Sequence, residues 1–296
     1  MSTEKIGFIG LGLMGSAMVQ RLLDCKRDVV VLGNRSRPNI EAALAGGATE
    51  ARSAKELAEA SDVIMLCMGT SEQVESRMLG DAGVIAGLKA GSVVIDFGTS
   101  LPASTRKLGS LVEKAGGQML DAPLGRTPSH AKDGLLNIMT AGDKVTFDKM
   151  KPVLDQLGEN VFHLGALGSG HTIKLINNFF AMTTATAWSE AMGMADKAGI
   201  ERQKLYDVVS AGPLHSGMMD FVSAYGLNND PTKLAFSVNN AFKDVGYYRK
   251  MADDANFETI VSDGAFNALS SAVGDGMGDI MVPQLVDFFA GKRPPK

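Results

Sequence analysis

A chain of 296 residues with two cysteines, one tryptophan and four histidines is short of the side chains on which several protein classes depend. Cys25 and Cys67 lie in apolar segments, where a thiol behaves as a small hydrophobe, so the sequence offers no disulfide scaffold. His130, His163 and His215 show no paired ligand spacing, and no metal is expected. No apolar run approaches the roughly 18–20 residues that span a bilayer. The opening Met-Ser-Thr-Glu-Lys enters an apolar segment without the basic and apolar regions of a secretory signal, so a cytoplasmic protein without membrane contact is expected. Basic excess is lacking too: 29 Lys and Arg against 33 Asp and Glu give a net charge of -4 and no global attraction to nucleic acid. An anionic ligand must therefore be captured locally.

Hydrophobic residues make up 45 % of the chain, and 34 glycines outnumber 10 prolines, a composition that folds around real cores. The length suits two domains. From Lys5 to about Leu164 short apolar runs alternate with amphipathic stretches, as strands and covering helices do in a parallel sheet. Strands are expected at 6–9, 29–32, 63–68, 93–97, 118–121 and 137–140, with helices such as 16–24 and 54–60 between them. After Leu164 the strand signals stop. A long helix is expected from His171 to about Ala198, followed by helical segments at 202–210, 213–225, 241–252 and 280–289. The fold class is thus α/β: a Rossmann-like doubly wound domain over 1–164, then an all-helical domain over 165–296, joined by the long helix.

The first strand runs into Gly10-Leu11-Gly12-Leu13-Met14-Gly15, a G-x-G-x-x-G between a strand and an amphipathic helix. Gly10 permits the tight turn, Gly12 lets the backbone approach a pyrophosphate, and Gly15 allows close packing of helix on strand, with the diphosphate at the helix N-terminus. A bare Gly-rich turn without a ligand is the blander reading of the same residues. At the end of the second strand an NAD-binding chain usually carries Asp or Glu for the ribose 2′-hydroxyl. Here stand Asn34-Arg35-Ser36-Arg37, with no carboxylate in the segment and Arg35 suited to a 2′-phosphate, which points to NADP(H). Two further strand ends, carrying Met68 and Thr99, should border the cofactor.

Four blocks resemble the β-hydroxyacid dehydrogenase family: Phe8 through Gly15, Asp121-Ala122-Pro123, Gly165 through Asn178, and Lys243-Asp244. The resemblance implies a reversible hydride transfer between NAD(P) and a small acid bearing a hydroxyl or carbonyl. It places the catalytic lysine on Lys174, its companion on Asn178, and a nicotinamide-side lysine on Lys243. It also implies a homodimer or homotetramer. Spacing agrees, since Lys174 and Asn178 stand four apart on one helical face with Asn177 beside them. Lys174 would protonate the oxygen on which charge builds, while Asn178 orients substrate or lysine.

One departure is informative. Where most members carry a Ser-Gly-Gly stretch after Asp-Ala-Pro, this chain has Leu124-Gly125-Arg126-Thr127-Pro128-Ser129. That loop, with the Lys174-Leu175-Ile176-Asn177-Asn178 block, looks like the sulfolactaldehyde reductases of the family. A sulfonate offers three acceptor oxygens to a guanidinium and to hydroxyls at Thr127 and Ser129. The expected substrate is therefore a small anionic aldehyde, 3-sulfolactaldehyde foremost, contacted by Gly125, Arg126, Thr127, Ser129 and Asn177. Tartronate semialdehyde, succinic semialdehyde and 3-hydroxyisobutyrate are the alternatives. A non-catalytic NADP-binding sensor is the rival from a different class, against which Lys174, Asn178 and Lys243 all argue.

Overall fold

Runs of Val, Ile, Leu and Met set the architecture, because strands buried on both faces must be apolar throughout. The computed structural model describes residues 4–33 and 37–292. They divide into two units, one ending at Lys174 and the other beginning at Leu175, later than the boundary expected at 164. The shift arises because the first turns of the long helix pack within the sheet-bearing unit.

In the first unit six strands are parallel: β1 (Ile6–Ile9), β2 (Val29–Leu32), β3 (Thr49–Ala51), β4 (Val63–Leu66), β5 (Val93–Asp96) and β6 (Gln118–Asp121), in the order β3-β2-β1-β4-β5-β6. Beyond β6 the parallel pattern ends. β8 (Leu136–Gly142) pairs antiparallel with β6 and with β7 (Leu124–Gly125), and parallel with β9 (Gly158–His163). The sheet is covered by α1 (Leu13–Asp24), α2 (Pro38–Ala45), α3 (Ala54–Ala60), α4 (Ser71–Met78), α5 (Pro102–Lys114), α6 (Pro128–Asp133) and α7 (Lys144–Leu157). Its two faces hold separate cores, one around Phe8, Met18, Val31 and Ile95, the other around Ile9, Leu57, Ile64 and Leu66.

α8 (Ser169–Lys197) begins in the first unit and ends in the second. The second unit continues with α9 (Arg202–Ser210), α10 (Gly217–Asn228), α11 (Val238–Asp254), α12 (Val261–Gly274) and α13 (Leu285–Phe289) around Trp188, Met192, Val222, Val245 and Leu269. The helix expected from residue 213 starts instead at Gly217, where the Ser216 side chain accepts from the Met219 N–H and caps it. The helix expected over 280–289 is split, because Met281 bridges to Ser237 and a 3₁₀ turn at Val282–Gln284 carries Pro283. No described helix is long and apolar enough to cross a membrane.

Register places the functional edge. Ile9 pairs with Leu66, Leu66 with Asp96 and Asp96 with Asp121, so the last residues of β1, β4, β5 and β6 form one row. The segments that follow them leave the same carboxyl edge, where open α/β sheets bind ligands.

Candidate active site

The turn after β1 has the geometry that its glycines require. Gly10 has φ of 101°, and a Cβ there would stand 2.4 Å from the Cys67 carbonyl oxygen. A Cβ on Gly15 would stand 1.9 Å from the Gly10 carbonyl oxygen, so α1 can pack this close only with glycine. Gly12, the residue preceding α1, faces open space, and no side chain caps the helix. Leu13 is exposed, whereas Met14 packs on the core. An uncapped helix N-terminus behind a bare glycine suits a diphosphate. Beside it lies a cavity of about 280 Å³ lined by Gly10, Gly12, Gly33, Met68 and Arg77 among others. The cradle and the cavity fit a dinucleotide.

Asn34, Arg35 and Ser36 lie outside the described residues. Their neighbour Arg37 does not point freely at a phosphate: Nη1 and Nη2 donate to Glu50 Oε1 and Oε2 at 2.6 and 3.1 Å. Glu50 belongs to β3, and its Oε1 stands 2.0 Å from where a Cβ on Gly33 would lie. The Arg37 bond holds the Glu50 carboxyl below its ordinary range. The reading that no carboxylate serves this strand end is therefore corrected in three dimensions, since the neighbouring strand supplies one.

At the ends of β4 and β5, Met68 lines the cavity and also packs on the second core. The Asp96 carboxylate accepts from the Gly98 N–H at 2.9 Å and from Ser100 Oγ at 2.8 Å, which fixes the turn carrying half-buried Thr99. Burial, assisted by the Asp96 charge, pushes the Cys67 thiol up to about 12, so it stays a protonated core residue.

After β6 the chain enters β7 with Leu124 and Gly125. Arg126 adopts φ of 77°, a left-handed conformation that costs an L-residue about 1–2 kcal/mol. Its Nη1 donates to the Leu135 carbonyl at 2.7 Å and to Glu159 on β9. The guanidinium is thus an ion-paired group, not the unpartnered clamp that its place in the loop implies. Thr127 Oγ1 lies 2.8 Å from Ser129 Oγ and 2.7 Å from His130 Nδ1, joining the two expected hydroxyls in one polar cluster.

Lys174 is half-buried, and its Nζ donates to the Leu124 carbonyl at 2.7 Å, which ties the ammonium to the segment leaving the carboxyl edge of β6. The Asp121 carboxylate accepts from the Gly168 and His171 N–H groups, each at 2.7 Å, and so holds the start of α8. Burial raises the Asp121 carboxyl, opposed by the His171 ring and by those N–H groups. In the second unit Asn178 is buried, and its Nδ2 donates to Asp244 Oδ2 at 2.6 Å; Lys243 Nζ lies 2.7 Å from Asp244 Oδ1. Asn177 is exposed and donates to Asn178 Oδ1. Asp244 thus organises both Asn178 and Lys243, and the Asn178 amide N–H is directed at its carboxylate. Among the described residues no cluster of three metal-ligating side chains occurs.

Glu50, Arg77 and Glu159 were not singled out by the sequence pattern, and Asp244 entered only as the neighbour of Lys243 in a family block, without its hold on Asn178. His171 carried a weaker signal, its place one turn before Lys174.

Residues 5–165 match the family described as the NAD binding domain of 6-phosphogluconate dehydrogenase. Residues 168–287 match that described as NAD-binding of NADP-dependent 3-hydroxyisobutyrate dehydrogenase. The chain is 31 % identical over 218 residues to 2-hydroxy-3-oxopropionate reductase of Escherichia coli, covering 73 % of each. It is 29 % identical over 253 residues to 2-(hydroxymethyl)glutarate dehydrogenase of Eubacterium barkeri, covering 85 % of this chain and 83 % of that one. A crystal structure of 3-hydroxyisobutyrate dehydrogenase from Salmonella typhimurium superposes with a TM-score of 0.82 at 27 % identity, covering 96 % of this chain and 99 % of that one.

Proposed function

From the premise that this chain belongs to the β-hydroxyacid dehydrogenase family and is an NAD(P)-dependent oxidoreductase, we propose that it is an NADPH-dependent cytoplasmic reductase of a short-chain aldehyde acid. Lys174 is the proton donor. The observation that carries this reading is the Lys174 ammonium fastened at 2.7 Å to the Leu124 carbonyl, on the sheet edge from which the Gly10–Gly15 turn also leaves.

Bound NADPH supplies the hydride that adds to the carbonyl carbon. As the C=O π electrons move onto oxygen, Lys174 Nζ stabilises the developing charge and delivers a proton to it, giving the alcohol. In the reverse direction the amine takes the alcohol proton. Asn178 and Lys243, both held by Asp244, serve the substrate and nicotinamide side.

The aldehyde acid we propose is 3-sulfolactaldehyde. Arg126 Nη1 is fixed by Glu159 and Leu135, while its Nε and Nη2 N–H groups make no hydrogen bond among the described residues. That edge matches two sulfonate oxygens, with the Thr127 and Ser129 hydroxyls as neighbours. The preference for NADP(H) rests on the sequence Asn34-Arg35-Ser36, and Arg77, which lines the cavity beside the Gly10–Gly15 turn, is a second cation. The same reading carries a homodimer or homotetramer, supported by Ile176 and Phe180 exposed on α8.

NADPH oxidation with 3-sulfolactaldehyde, tartronate semialdehyde and succinic semialdehyde, measured on wild type and Arg126→Ala, tests the substrate. The expected result is a sulfonate preference in kcat/KM that falls roughly 10- to 100-fold in the variant. Preference for a carboxylate aldehyde, unchanged by Arg126→Ala, would remove the sulfonate assignment.

A further inference from the structure

His171, the third residue of α8, is fully buried in the first unit between two carboxylates. Its Nδ1 lies 2.8 Å from Thr105 Oγ1 on α5 and 3.7 Å from Asp121 Oδ2 at the end of β6. Its Nε2 has no hydrogen-bond partner and lies 3.8 Å from Asp96 Oδ2 at the end of β5. Thr105, Asp96 and Asp121 are each no more than 1 % exposed. A polar cluster this deep is costly unless its members are mutually satisfied, so its retention asks for a role.

The ring is fixed by its 2.8 Å hydrogen bond with Thr105 Oγ1, which also reaches the carbonyl of Leu101, the residue preceding α5, at 3.2 Å. The His171 backbone N–H is fixed separately by Asp121 Oδ2. Asp121 in turn pairs in register with Asp96, whose own oxygens hold the Thr99 turn. One side chain thus joins α5, β5 and β6 to the first turn of α8. Lys174 is the next residue but two along that helix, and a rigid helix start passes any displacement on to its Nζ.

We propose that His171 is a positioning residue: by pinning the first turn of α8 to Thr105 within the Asp96–Asp121 pair, it sets where Lys174 presents its proton. This rests on the reading of Lys174 as the proton donor. His171 touches neither substrate nor cofactor in this scheme. Its removal should act on kcat and leave cofactor affinity alone, because an error of an ångström in a proton donor costs up to about 100-fold.

The test compares wild type, His171→Ala, His171→Asn, Thr105→Val and Lys174→Ala, normalised to folded sites by NADPH titration. His171→Asn places an amide, able to donate or accept, where Nδ1 met Thr105 Oγ1. The proposal expects kcat to fall roughly 10- to 100-fold in His171→Ala and in Thr105→Val, with NADPH Kd within about twofold of wild type, and to return substantially in His171→Asn. If His171→Ala does not fold, Thr105→Val and His171→Asn decide the matter alone. Unchanged kcat per site in Thr105→Val, or a loss in NADPH affinity as large as the loss in kcat, overturns it. Wild-type turnover in Lys174→Ala instead overturns the underlying assignment of the proton donor, whatever the His171 variants do.

Discussion

Single residues divide here by whether their partners are near or far in sequence. Gly10, Gly15 and Lys174 announce themselves, because a turn, a helix contact and a motif position are local properties. Glu50 does not. It reaches the end of β2 from β3, and only the parallel pairing of Val31 with Glu50 brings it to Gly33 and Arg37. The same holds for Arg126, whose loop position suggested an anion clamp while its partner Glu159 lies on β9. Glu50, brought beside Gly33 at the end of β2 where open α/β folds hold the ribose 2′-hydroxyl, sets a carboxylate against a 2′-phosphate even though Arg37 pairs with it. Glu50→Gln, which also releases Arg37, is therefore expected to raise the ratio of kcat/KM for NADPH over NADH about 3- to 10-fold, as steady-state kinetics with both cofactors would read. An unchanged ratio would place Glu50 outside cofactor selection.

Elements were legible where burial made them uniform. β1, β2 and β6 match their expected bounds, and α8 begins within two residues of the expected start, because apolar runs and long uninterrupted periodicity leave few alternatives. β3, β7 and β9 were not legible: Thr49-Glu50-Ala51 is short and polar, Leu124-Gly125 is two residues, and β9 exposes Glu159 and Phe162. Their pairing is made by tertiary neighbours and not by intrinsic pattern. The α1 contact, by contrast, is fully specified by one residue. Gly15→Ala must push α1 from β1 against backbone, at about 1–3 kcal/mol. Thermal unfolding should show the lowered transition, and NADPH Kd should rise at least about tenfold as the diphosphate cradle opens. Wild-type affinity in a folded Gly15→Ala would contradict the cradle.

At the scale of the whole chain, the helical unit carries its own charge network. Arg202 donates to Asp196 at 3.0 and 2.7 Å and to Asp287 at 3.1 Å, while Tyr225 donates to Asp287 at 2.7 Å. The Arg202 bond holds the Asp196 carboxyl below its ordinary range. A depressed carboxyl stabilises above its unfolded value, about 3.9, and that contribution disappears as pH falls through the lower folded value. Trp188, the single tryptophan, is buried in this unit and reports on it. In urea unfolding followed by Trp188 fluorescence, Arg202→Met should lose about 2–3 kcal/mol at pH 7 and much less at pH 3. An equal loss at both pH values would show that the network is not electrostatic.

The measurement that bears most directly on function is NADPH-linked aldehyde reduction by Lys174→Ala, paired with its NADPH Kd by fluorescence titration. Turnover is expected to fall roughly 10²–10⁴-fold with the Kd nearly unchanged, because the proton donor is lost while the Gly10–Gly15 cradle is intact. Turnover close to wild type at unchanged Kd would show that the proton comes from another group.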